Sequence, residues 1–243
     1  MQLKVADKSL TAEVSLTAGV PDVTWTHRAL PLILDAIPVE CKSLLDVGCG
    51  RGIIGALCRI YRNVDRLVGL DGFLPYLEFN QKAGFYTDTI LRNLSNTPLP
   101  LGTQEFEVVT CIEVIEHLEL GAGQKLLDEL ERIGSRVIVT TPNILFQQQE
   151  YDGNVFQRHL SQWRPSDFRR RGYVVYGAGN LNVGYGVKKA VEKVAGSPGA
   201  DVVPNRVRRS ARRMSEILGP LTRNVPWLST SLLCIKNGPE GEG

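Results

Sequence analysis

Short apolar runs alternate with helical periodicities along most of this 243-residue chain. Ala29, Leu30, Ile33, Leu34 and Ile37 recur at offsets of three and four, which predicts a helix within Val23–Ile37. The runs Ser43–Val47, Arg66–Leu70, Glu107–Cys111, Arg136–Thr140, Tyr173–Tyr176 and Ser231–Ile235 are short and continuously apolar, as buried strands are. Between them the spacing predicts helices over Gly52–Arg62, Phe73–Ala83, near Leu118–Ile133 and over Pro165–Arg171. In the last of these Pro165 falls in the first turn, where its missing N–H costs nothing, and Trp163 and Phe168 pack it. Strand–helix repetition needs crossover connections, so the pattern predicts a doubly wound α/β fold: a mainly parallel sheet with helices on both faces. The chain reads as one domain over 1–243, with a helical extension at 1–40 and a basic helical insertion at about 184–224 before the last strand.

A hydrophobic content of 43% is enough for a substantial core, and the net charge of +2 is too mild to demand a polyanionic partner. The charge is uneven. Residues 184–224 hold nine basic against three acidic side chains, +6, which leaves −4 for the remainder. Arg206, Arg208, Arg209, Arg212 and Arg213 alternate there with apolar Val207, Ala211, Met214, Ile217 and Leu218. One side of such a helix packs while the arginines face solvent, an anionic acceptor, a nucleic acid or a membrane surface. Sparse aromatic residues count against single-stranded nucleic acid, where stacking supplements charge. Five scattered cysteines without CxxC spacing read as free thiols of a reducing compartment. The start lacks the order of a signal peptide and no apolar run reaches about 18 residues, so a cytoplasmic protein is expected, with peripheral membrane contact left open. Oligomeric state has no signature.

The sharpest local signal is Asp46-Val47-Gly48-Cys49-Gly50-Arg51-Gly52, which follows an apolar strand and opens a helical pattern. Glycines let a backbone turn sharply and approach a ligand, and a helix start supplies unpaired N–H groups. The next strand ends in Asp71, about twenty residues beyond the glycines, where a carboxylate can accept hydrogen bonds from ribose hydroxyls. An acid at the loop entrance repels a pyrophosphate but suits a sulfonium and an ammonium, which favours S-adenosylmethionine over a nicotinamide dinucleotide. Asp71 as a helix cap and Gly52 as a packing glycine are the plain alternatives.

With these residues in view, the chain resembles the class I S-adenosylmethionine-dependent methyltransferases, whose loop follows a D-x-G-x-G-x-G pattern, over roughly Ser43 to Asn180 and again at the last strand. The resemblance implies a Rossmann-like, seven-stranded sheet. It also implies that Asp46, Gly48, Cys49 and Gly50 hold the methionine end, that Asp71 binds the ribose, and that Gly72 and Phe73 flank the adenine. Asn93 and Leu94, after a third strand, match the pair that meets the adenine amino group, and Ile112 and Glu113 match a cofactor contact after the fourth.

A second constellation begins at Glu113-Val114-Ile115-Glu116-His117. If this run is helical, offsets of three and four gather Glu113, Glu116 and His117 on one face, and His159 follows a polar loop able to reach the same edge. Two carboxylates and two imidazoles could hold a divalent cation. The ExxEH run with a distant histidine is similar to metal-dependent small-RNA 2′-O-methyltransferases, and ExxEH also occurs in quinone O-methyltransferases. Many small-molecule methyltransferases carry a similar stretch with no metal. The expected activity is methyl transfer from S-adenosylmethionine to an oxygen or nitrogen of a small-molecule acceptor, with His117 and His159 as candidate bases. A metal-dependent RNA 2′-O-methyltransferase and a non-catalytic adenosyl-ligand-binding protein are the alternatives.

Overall fold

The computed structural model describes residues 3–5, 29–143, 148–150, 153–179 and 219–238. Its strands are β1 (Leu3–Val5), β2 (Ser43–Val47), β3 (Arg66–Asp71), β4 (Asp88–Leu91), β5 (Phe106–Ile112), β6 (Gly134–Pro142), β7 (Val174–Gly177) and β8 (Ser231–Asn237). They form one sheet in the order β1-β4-β3-β2-β5-β6-β8-β7, parallel except that β8 runs against both of its neighbours. The helices are α1 (Ala29–Ala36), α2 (Ile53–Tyr61), α3 (Leu74–Ala83), α4 (Leu120–Ile133) and α5 (Pro165–Arg169).

Two apolar layers cover the sheet. Leu44, Leu67 and Ile138 point to one face and meet Ile33, Ile54, Cys58 and Leu77 of α1, α2 and α3. Leu45, Val68, Val109 and Val137 point to the other and meet Leu126, Leu127 and Leu130 of α4 and Phe168 of α5. The period of two along each strand accounts for both layers at once. On α4 the buried positions Gly123, Leu126, Leu127, Leu130 and Ile133 follow the three-and-four rule. Trp163 is buried beside Phe168 and lies so close to Gly123 that a Cβ there would collide with its ring. All five cysteines are buried free thiols.

The expected strands and helices are present, with two corrections. The sheet has an eighth strand: Leu3–Val5 pairs with Thr89–Leu91, so this part of the 1–40 extension is extended backbone, while Ala29–Ala36 is helical and residues 6–28 lie outside the described residues. The alternating Leu-Lys-Val triplet suits a strand, and the open β4 edge offers the ladder. β4 itself, Asp-Thr-Ile-Leu, is too short and half-polar to stand out as a run. Of the basic insertion, residues 184–218 lie outside the described residues, and Gly219–Asn224 is a 3-10 turn. Among the described residues no helix is long and apolar enough to cross a membrane.

The chain moves outward from β2 through β3 to β4 and then crosses back to β5 on the other side. Strand order therefore reverses between β2 and β5, and loops diverging there open a crevice at the carboxyl ends.

Candidate functional site

The glycine loop fills that crevice. As β2 ends, the Gly48 and Cys49 N–H groups both donate to the Leu70 carbonyl, at 2.7 and 3.1 Å. The Gly50 N–H donates to Asp71 Oδ2 and the Phe73 N–H to Asp71 Oδ1, each at 2.8 Å. One carboxylate thus ties the loop to the end of β3, and it stands two residues before the Phe73 cap of α3. The loop glycines differ in what they face. A Cβ on Gly48 would strike Val114, and one on Gly52 would strike Asn80 and Phe85. A Cβ on Gly50 would meet nothing within 4 Å, so this glycine presents a bare backbone to open space. Gly52 is thereby a packing glycine.

That space is a cavity of about 350 Å³. Gly48, Gly50, Asp71 and Gly72 form one wall, and Asn93 and Leu94 beyond β4 form its floor. Glu113, Val114 and His117 close the end next to β5. The opposite wall is the segment from Asn154 to Leu160 after β6. Its Phe156 ring lies 3.2 Å from the Cβ position of Gly72, and Asn154 Oδ1 accepts the Phe156 N–H at 2.9 Å. Sequence reasoning missed Asn154 and Phe156, because a polar loop shows no periodicity.

Four expected cofactor residues stand back from this cavity. Asp46 is buried behind the loop, where its carboxylate accepts from Tyr86 Oη at 2.6 Å and Thr110 Oγ1 at 2.8 Å. Alternation along β2 sends it to the α2–α3 side, and burial pushes its pKa up to about 6 against those two donors. Cys49 points into the core beside Asn80, and burial raises its thiol far above the usual range. The Phe73 ring packs edge-on against Tyr76 at 4.8 Å, and Ile112 packs on the α2–α3 layer. Burial raises Asp71 as well, opposed by backbone N–H groups from Gly50, Phe73 and Gly72.

The second constellation also differs from expectation. Glu113 is not helical: at φ 53° it is left-handed, and its N–H donates to the Thr140 carbonyl. The helical turn begins only at Ile115, as a 3-10 turn over Ile115–His117. Glu113 instead accepts from Ser231 Oγ at 3.3 Å, outside the cluster. The ligand atoms of Glu116, His117 and His159 do come together, within 4.8 Å of one another. Glu116 Oε2 accepts from Thr141 Oγ1 at 3.0 Å, while Oε1 is buried without a hydrogen-bond partner. Burial and then the neighbouring Glu113 raise the Glu116 carboxyl far above its usual range. The Arg158 carbonyl can only accept, so its 3.2 Å contact with His117 Nδ1 puts the imidazole proton there and leaves a lone pair on Nε2. Desolvation, and then the His159 ring at 4.8 Å, push His117 down to about 4, so it is neutral at pH 7.

Residues 45–136 match the family described as a methyltransferase domain. A ubiquinone biosynthesis O-methyltransferase of Yersinia enterocolitica is 33% identical over 105 residues, 38% of this chain and 40% of the relative. Its Yersinia pestis counterpart is 30% identical over 131 residues, 48% of this chain and 51% of the relative. The chain thus spans about half the length of the curated relatives it matches. Two solved structures share the fold. One is a chain of the complex between the Haloferax volcanii Trm112 methyltransferase activator and a methyltransferase, with a TM-score of 0.57 at 14% identity over 90% of this chain and 91% of that chain. The other is a SAM-dependent methyltransferase of Archaeoglobus fulgidus, with a TM-score of 0.51 at 16% identity over 86% and 90%. Together with the cleft at the sheet reversal and the Asp71-anchored glycine loop, these findings show a Rossmann-like α/β fold whose residues 45–136 are similar to a methyltransferase domain.

Proposed function

We propose that this chain transfers the methyl group of S-adenosylmethionine to an oxygen or nitrogen of a small-molecule acceptor. The observation that carries the proposal is the cavity between the bare Gly50 backbone and the Asn154–Leu160 wall, with the Asp71 carboxylate beside it. Its size is in the range of pockets that enclose one small ligand. The glycine wall suits close backbone approach, Asp71 can accept from ribose hydroxyls, and Asn93 and Leu94 stand where the adenine edge would fall. Methyl transfer needs no covalent protein intermediate. The sulfonium carbon is already activated, and the chain's task is to bring the acceptor lone pair to ~3–3.5 Å along the sulfonium axis and to exclude water. The curated relatives are named for O-methylation, which favours a hydroxyl acceptor. Its proton would pass to the histidine pair. His117 lines the cavity and is neutral at pH 7, so it is the candidate base, with the His159 ring edge-on beside it at 4.8 Å.

Calorimetry with S-adenosylhomocysteine tests the cofactor half: the wild type should bind, and Asp71→Ala should weaken binding by about a hundredfold. Unchanged affinity in the variant would remove the ribose assignment. Labelled methyl transfer into a metabolite extract tests the other half, and absence of any product would favour a non-catalytic adenosyl-binding protein.

A second reading adds a divalent cation on Glu116, His117 and His159, favoured by the buried, unpartnered Oε1 of Glu116. Around one ion, ligand atoms lie at most about 4.2 Å apart, so the cluster needs to tighten by roughly half an ångström. The donor set fits in kind: a neutral imidazole with its Nδ1 proton on a carbonyl, and a carboxyl group whose charged form burial disfavours and a bound cation would favour. Bound there, a cation would lower the pKa of an acceptor hydroxyl. Dialysis against zinc, manganese and magnesium, followed by metal analysis, should show about one ion per chain in the wild type and a clear loss in Glu116→Gln. Metal-free protein with chelator-insensitive turnover would dismiss this reading, and with it the RNA 2′-O-methyltransferase alternative.

A further inference from the structure

Helix α3 carries a polar residue that the cofactor reading has not used. Asn80 is 0% exposed, one turn beyond the buried Leu77, where an apolar side chain would pack without penalty. Its Nδ2 donates to the Gly50 carbonyl at 2.8 Å and passes 3.6 Å from Cys49 Sγ. Its Oδ1 is buried without a hydrogen-bond partner, and a Cβ on Gly52 would lie only 2.2 Å from that oxygen. A buried acceptor left unpaired destabilises the fold, so Asn80 is not explained by packing alone.

We infer that Asn80 is a positioning residue for the cofactor: it clamps the Gly50–Arg51 peptide in the orientation that binding requires. The inference rests on the cofactor reading of the glycine loop. A trans peptide is planar, and its C=O and N–H point in opposite directions. Drawing the Gly50 carbonyl towards α3 therefore turns the Arg51 N–H to the other side of the loop. At its own N–H, Gly50 is held by Asp71 Oδ2 at 2.8 Å. Both backbone polar groups of this residue are thus fixed by side chains of the β3–α3 unit, and its bare Cα is left facing the cavity. Gly52, left-handed at φ 81° and without a Cβ, makes room for the amide. A glycine without such ties samples many conformations, and fixing it beforehand removes that entropy loss from binding. The unpaired Oδ1 follows from this use. The amide reaches the Gly50 carbonyl with its donor, and its second polar atom then falls against Gly52.

The test compares Asn80→Ala and Asn80→Leu with the wild type, by calorimetry with S-adenosylhomocysteine and by thermal melting without ligand. The leucine has nearly the same volume and lacks the stranded oxygen, so its melting temperature should equal or exceed the wild-type value. Its dissociation constant should nevertheless rise by about tenfold or more. In turnover, the KM for S-adenosylmethionine should rise while kcat at saturation stays near the wild-type value. If the wild type binds and either folded variant binds within about twofold of it, the assignment to Asn80 falls while the cofactor reading stands. If the wild type itself ignores S-adenosylhomocysteine, the cofactor reading falls first. A measurement on the unaltered protein covers variants that do not fold: the Asn80 side-chain amide protons should exchange slowly in the free state, because the clamp is formed before binding. Exchange of those protons at the solvent rate would overturn the inference.

Discussion

Asp46 holds a carboxylate inside the sheet at a cost to the ligand-free fold. Its pKa rises from 3.8 to about 6, chiefly through burial. The folded protein therefore binds a proton more tightly than the unfolded chain between those values. The resulting stabilisation is full below about pH 4 and is lost as the pH rises through 6, on the order of 3 kcal/mol in all. Asp46→Asn keeps an acceptor for Tyr86 and Thr110 without that charge. Urea titrations should show the wild type losing stability relative to the variant between pH 4 and 7. A flat difference over that window would mean that the carboxylate is well solvated. The residues behind the loop were only partly legible. The motif announced Asp46, yet its orientation follows from strand alternation with Leu44, and its partner Tyr86 lies forty positions away in a segment without pattern. Gly50 and Asp71, which line the cavity, were legible from the glycine motif and its spacing to the next strand's acid, and Gly72 from the family resemblance.

At the scale of elements, apolar runs and three-and-four offsets identified six strands and the five α-helices of the described residues. They failed where an element is short or its shape is set by its surroundings. β1 and β4 are ladders of three and four residues that exist because a parallel neighbour is there to pair with them. The Glu113–His117 stretch has helical spacing, but the chain turns sharply at the carboxyl end of β5, and the left-handed Glu113 delays the helical turn to Ile115. The wall from Asn154 to Leu160 is likewise an element by position rather than pattern. Its Phe156 rests on Gly72 and is only half-buried, so it contributes more to the cavity than to the core. Phe156→Ala should raise the S-adenosylhomocysteine dissociation constant by about fivefold, from the loss of roughly 40 Å² of apolar contact, with little change in ligand-free melting. An equal loss of melting temperature and affinity would make Phe156 a core residue instead.

Across the whole molecule, the late strand β8 joins what the rest of the chain leaves apart. It lies between β6 and β7, and its first residue reaches the site: Ser231 Oγ donates to Glu113, while the adjoining Thr230 carbonyl accepts from Asn143 at the end of β6. A product ending before Ser231 should sediment as aggregate rather than persist as a monomer, because two ladders and the buried Leu232, Leu233 and Cys234 would be missing. A well-folded truncated monomer would show that β6 and β7 tolerate separation. During synthesis, β6 and β7 leave the ribosome long before the strand that joins them, and they wait with open edges until it follows. A message stalled or frameshifted before the codons of β8 would thus release a self-associating fragment, a burden on chaperones and proteases.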